Sequence, residues 1–118
     1  MSANIRVMEK TNKYGKLHCM QITSVVLPAV RASVASKLYD MGYGQESIAD
    51  ELGIAQAAVS KYMNKRYSSE VALIKKQIDE QKLYEGIIDI ISKKKGKHAV
   101  SESIKLLCER MVETGMLD

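Results

Sequence analysis

Gln56, Ala57, Ser60, Lys61 and Asn64 fall at intervals of one, three, one and three residues, a spacing that gathers them on one side of a helix. The face they form is small, polar and free of carboxylates, and Lys65 and Arg66 follow directly. The chemistry open to it is hydrogen bonding. A Gln amide can pair bidentately with adenine, and a Lys can donate to guanine O6 and N7, while short neighbours let a backbone come close to a groove floor. Lys65 and Arg66 suit phosphate contact, although cations are also favourable at a helix C-terminus in any protein. Gln45, eleven residues before Gln56, completes the candidate set.

Residues 45 to 64 must position that face. Ala49 is small where two short helices would touch, and Gly53 stands where the chain must turn without a Cβ. Ile48, Leu52, Ile54, Val59 and Tyr62 supply apolar contacts between and beneath the helices, with Met63 also turned inward. Together these offsets are the pattern of a helix-turn-helix with its recognition helix over 55–64. A plainer reading remains, in which two amphipathic helices of an all-α core use the same Ala and Gly for packing. The acid-free outward face favours the first reading.

Three regions organise the chain. Residues 1–16 form a flexible basic arm, 17–67 a DNA-binding domain, and 68–118 a set of C-terminal helices. Leu17 to Val26 is apolar, but helix and strand cannot be separated there by periodicity. Pro28 fits the first turn of a helix reaching about Met41, with Leu27, Val30, Val34, Leu38 and Met41 on one face, and Gly42 and Gly44 end it. Ser68 or Ser69 caps a long helix to about Ser92, whose apolar stripe runs Val71, Ile74, Ile78 and then shifts phase to Leu83, Tyr84, Ile87, Ile88 and Ile91. The basic connector Lys93-Lys94-Lys95-Gly96-Lys97 leads to a last helix, capped near Ser101, that carries Val100, Ile104, Leu107, Cys108 and Met111.

So broad a stripe either closes the domain's own core or meets a second copy. A homodimer made mainly by residues 69 to 114 is the favoured expectation. One recognition helix spans only a few base pairs, whereas a two-fold pair presents two of them about 34 Å apart to a palindrome.

Composition narrows the class. The 118 residues are 46% apolar with no Trp or Phe, six Tyr and one Pro, which suits an all-α core better than a sheet sandwich. The net charge of +4 is unevenly spread. Arg6, Lys10, Lys13 and Lys16 face only Glu9 in the arm, and the acids Asp40, Glu46, Asp50 and Glu51 all precede the recognition helix. The first apolar run, Val25 to Ala35, is interrupted by Pro28 and Arg31 and comes late for a signal peptide, so a cytoplasmic protein without a membrane span is expected. No nucleophile with a base, carboxylate pair, phosphate-cradling Gly loop or metal set is evident, so no enzyme activity, catalytic residue, metal or cofactor is expected. Cys19 and Cys108 read as idle thiols, with a redox or metal-sensing site that includes His18 as the sharper alternative.

Leu27-Pro28-Ala29-Val30-Arg31, together with Gln56-Ala57-Ala58-Val59-Ser60 inside 45–64, resembles the archaeal branch of the lambda-repressor-like, xenobiotic-response-element (XRE) type helix-turn-helix regulators. The resemblance covers about residues 19 to 66. It implies a lambda-repressor-like helix-turn-helix bundle, here with a C-terminal helical extension, and transcriptional regulation by binding double-stranded DNA. Members of that family stand alone or precede a thiamine-phosphate synthase-like domain, for which this sequence is too short. Two positions depart from the family. Ala55 replaces a Thr or Ser whose hydroxyl caps the recognition helix, and Met111 stands where some relatives carry a second cysteine, three residues beyond the one matching Cys108. Two other uses of the same helices are kept in view: an antitoxin- or adaptor-type protein-interaction module, and nonspecific nucleic-acid binding.

Overall fold

The computed structural model describes residues 22–114. The arm of residues 1–16, residues 17–21 of the ambiguous apolar segment, and 115–118 lie outside the described residues. Every regular element within them is helical. A π-helical turn over Ile22–Val26 runs into α1 (Leu27–Asp40), followed by α2 (Gln45–Leu52), α3 (Gln56–Met63), α4 (Ser69–Gln81), α5 (Glu85–Ser92) and α6 (Lys97–Glu113).

Pro28 sits in the first turn of α1, where its missing N–H is no loss. The expectation of a single apolar face on this helix needs correction. Ala29, Val30, Ala32, Ser33, Val34, Ala35 and Leu38 are all buried, a set that wraps around the helix, while Leu27 is only half-buried and Met41 is exposed. A helix covered on most sides is central rather than peripheral. α1 packs against each of the other five helices, and its small residues let them approach.

Five successive helices end alike. After α1, the Tyr43 N–H donates to Leu38 O (3.0 Å) and the Gly42 N–H to Tyr39 O (3.0 Å), the paired bonds of a left-handed Schellman closure. The same pairing recurs after α2, α3, α4 and α5, with Gly53, Lys65, Lys82 and Lys94 in the left-handed position. Two of the five are glycines, for which that backbone carries no steric penalty. The other three are lysines at φ 57°, 55° and 55°.

The left-handed Lys82 explains the largest difference from the sequence reading. The single helix expected from Ser68 to Ser92 is two helices, α4 and α5, and the phase shift in the apolar stripe marks the reversal between them. No glycine announces this break. Its trace is the five-residue step from Ile78 to Leu83, whose N–H donates to Ile78 O (3.0 Å), bringing an apolar residue back over the helix it leaves. The N-terminal cap of α4 is as expected, the Val71 N–H donating to Ser68 Oγ (3.1 Å). The cap expected near Ser101 is not: α6 begins four residues earlier at Lys97, preceded by Gly96 at φ 100°, ψ 161°.

The C-terminal stripe is largely consumed by the chain's own core. Val71, Ile74, Ile78, Ile87, Ile91, Val100, Ile104, Cys108 and Met111 are buried in one cluster with Val30, Leu38, Ile48 and Val59. One polar group crosses that interior. Ser33, 1% exposed, donates its hydroxyl to the Asp79 carboxylate, which also accepts from Lys75 Nζ (2.7 Å) and so ties α1 to α4.

The lysine closures make a direct prediction. Lys82→Gly relieves a left-handed side-chain residue and should raise unfolding free energy by about 0.5–1 kcal/mol. Gly53→Ala should lower it by about 1 kcal/mol through backbone strain alone. A Cβ at Gly53 meets nothing within 4 Å, so packing does not enter. Urea denaturation of the two variants, with unchanged m values, checks both signs.

Candidate nucleic-acid interface

α2 and α3 are joined by Gly53, Ile54 and Ala55 and packed against each other and α1. Gly53 adopts φ 66°, ψ 36°, and the Ile54 N–H reaches back to Ala49 O (3.0 Å), which folds the connection against the end of α2. Ile48, Ala49, Leu52 and Val59 are buried between the pair and the core, with Ile54, Tyr62 and Met63 half-buried. α3 is preceded by Ala55, which has extended backbone (φ −69°, ψ 148°) and supplies no side-chain cap.

The outward side of α3 carries the residues singled out above. Gln56, Ala57, Lys61 and Asn64 are exposed and Ser60 is half-buried, with Lys65 and Arg66 exposed just beyond. Two of these engage each other. Asn64 Nδ2 donates to Ser60 O (2.9 Å) and to Ser60 Oγ (3.3 Å), so the amide nitrogen closes the helix end and its oxygen is the part left to a partner. Lys65 is the left-handed residue of the α3 closure, which carries its side chain off the helix face.

Gln45 belongs to α2 rather than α3. It is half-buried at the start of α2 and lines a depression of about 380 Å³ with Asn64, Lys65 and Tyr62, walled on the α1 side by Tyr39 and Asp40. Gln45 of α2 is thereby brought together with Asn64 and Lys65 at the C-terminal end of α3. Sequence spacing, which treats one helix at a time, had no means to see that grouping.

The acids of α2 are partly answered by residues the sequence reading left out. Asp50 Oδ1 pairs with Lys97 Nζ (2.9 Å) at the start of α6, so the end of the basic connector lies against α2. Both side chains are well exposed, at 70% and 64%, and such a pair adds little stability. Its effect is on charge, because it offsets one of the α2 carboxylates. A lone cation at the end of a lysine run gave no hint of this contact.

Cys108 is buried, and burial pushes its thiol from an ordinary 9.0 up to about 11, against the opposing pull of the nearby Arg31 guanidinium and with a smaller push from Glu109. A thiol so placed has almost no thiolate at neutral pH and is correspondingly inert. Cys19 and His18 lie outside the described residues, and His98 is exposed. Among the described residues no three His, Cys, Asp or Glu side chains converge to hold a metal, and no helix is long and apolar enough to cross a membrane. The chain matches no protein-family model, and neither curated proteins nor solved structures include one significantly similar to it.

The raised thiol value carries a pH dependence. Below pH 9.0 the thiol is protonated whether the chain is folded or not, and it contributes no slope. Between 9.0 and about 11 the unfolded chain gives up the proton while the folded one keeps it, so the folded state binds more protons and stability falls as pH rises. The expected result is a stability difference between the natural protein and Cys108→Ala that narrows steadily across that window, measured by denaturant titration at fixed pH steps.

Proposed function

We propose that this chain is a sequence-specific double-stranded DNA-binding transcriptional regulator of the lambda-repressor-like helix-turn-helix type, with α3 lying in the major groove. The observation that carries the reading is the α2–Gly53–α3 pair, apolar where it meets the core, with an outward face on α3 that is polar, small and acid-free. Gln56 and Lys61 are the base-reading residues, and Ala57 and Ser60 let the helix sit deep. Lys65 and Arg66 meet phosphates, and the uncapped first amides of α3 offer the same to a phosphate oxygen. Gln45 and the Asn64 side-chain oxygen border the site at the far end of α3.

The protein acts as a homodimer on a palindrome in this reading. Because the C-terminal stripe is spent on the core, the surface for the second copy lies among the apolar residues left outside it, Leu73 on α4 and Leu106 on α6, exposed at 59% and 55%. Sedimentation equilibrium giving a monomer at micromolar concentrations would remove the dimer and with it the palindrome.

Selection of bound duplexes from a random DNA pool near physiological salt tests the central reading. A shared, two-fold symmetric sequence is expected, whereas recovery of no motif would overturn it in favour of a protein-binding or nonspecific role. Variants then assign the residues. Gln56→Ala with Lys61→Ala should flatten the preference among sequences while leaving the unfolding curve in place. Lys65→Gly should have effects of opposite sign, raising stability by about 0.5–1 kcal/mol while weakening binding to all sequences alike and reducing the salt slope by about one.

A further inference from the structure

A cleft of about 270 Å³ opens where α1, α2 and α6 meet, away from the outward face of α3. Its walls are apolar on three sides, with Leu27 from α1, Leu52 from the last turn of α2, and Ile104 from α6. Arg31 and Lys105 bring two cations to the same space. Arg31 Nε is buried with no hydrogen-bond acceptor among the described residues, in a helix otherwise enclosed by core.

A buried, charged donor without an acceptor is costly, and the guanidinium presents its Nε–H and a neighbouring Nη–H as a planar fork that matches a carboxylate. The one acid lining the cleft is Glu109, and it forms no ion pair with Arg31 or Lys105. Two cations against one carboxylate leave a positive excess, and the apolar walls call for a tail. The space suits a small ligand, being near the lower end of ordinary ligand pockets at roughly 300 Å³.

We propose that this cleft binds a small organic monocarboxylate with a short aliphatic chain, its carboxylate on Arg31 with Lys105 adding charge and its chain against Leu27, Leu52 and Ile104. The inference is independent of the DNA reading, since none of these residues belongs to the outward face of α3. A bound ligand touches three helices at once and holds the end of α2 against α6.

Calorimetric titration of the full chain with butanoate, hexanoate and hexanamide tests the proposal. Affinity should rise by up to about fourfold for each methylene buried, the amide should not compete, and Glu109→Gln should tighten binding. Arg31→Met should weaken hexanoate by about tenfold or more. Should that variant fail to fold, the exposed Lys105→Ala decides, with a smaller loss at unchanged stability. Equal binding of acid and amide, no binding of hexanoate at millimolar concentration, or natural affinity in both cation variants would each overturn the assignment.

Discussion

Enclosure of α1 is the constraint on which the rest of the molecule depends. Five helices can share one neighbour only if it is slim over much of its surface, and Ala29, Ala32, Ser33 and Ala35 provide that, while Val30, Val34 and Leu38 fill the spaces between. A helix so covered has little room for polar groups. Ser33 is accommodated because the Asp79 carboxylate accepts its hydrogen. Arg31 is accommodated because its stem runs out to a cleft, and its Nε is the one buried side-chain polar atom left unpartnered among the described residues. Both exceptions lie where a second helix could be secured or a ligand received.

The connections around this axis are built by one device. Each of five helices ends in a left-handed residue whose own and following amides turn back onto the helix just finished, so the chain reverses within three to five residues and returns to α1. Lysine occupies three of these positions although glycine is easier there. A lysine near a helix C-terminus meets the negative end of the dipole, which offsets part of the conformational cost. At Lys65 the same placement puts a cation beside the polar face of α3.

The outward face of α3 is bordered by cations. α3 itself carries only Lys61, and Lys65 and Arg66 follow its last turn, while the Asp50 carboxylate of α2 is held by Lys97 from the other end of the fold. The modest net charge is thus compatible with a locally cationic edge. The C-terminal helices serve this arrangement twice, by completing the core under α1 and by delivering Lys97 to α2.

Much of this was legible in the sequence. The helical class, the Pro28 start of α1, the Ser68 cap, and the division of α2 and α3 into buried and outward residues all follow from local rules of period, capping and turn chemistry that act within a few residues. Where tertiary contact overrode local preference, the sequence was silent or misleading. It offered a stripe for α1 that is in fact covered on most sides, and one helix where a left-handed Lys82 makes two, because neither enclosure nor a strained lysine leaves a local mark beyond a slipped apolar phase. It gave no sign that Gln45 lines a depression with Tyr62, Asn64 and Lys65, because only the packing of α2 on α3 brings those side chains together. Residue type and spacing alone determined the helical class and the polar, acid-free face of α3. The tertiary structure decided what those faces meet, because burial, pairing across the chain and the Arg31 cleft arise from residues brought together over distances that no helical period spans.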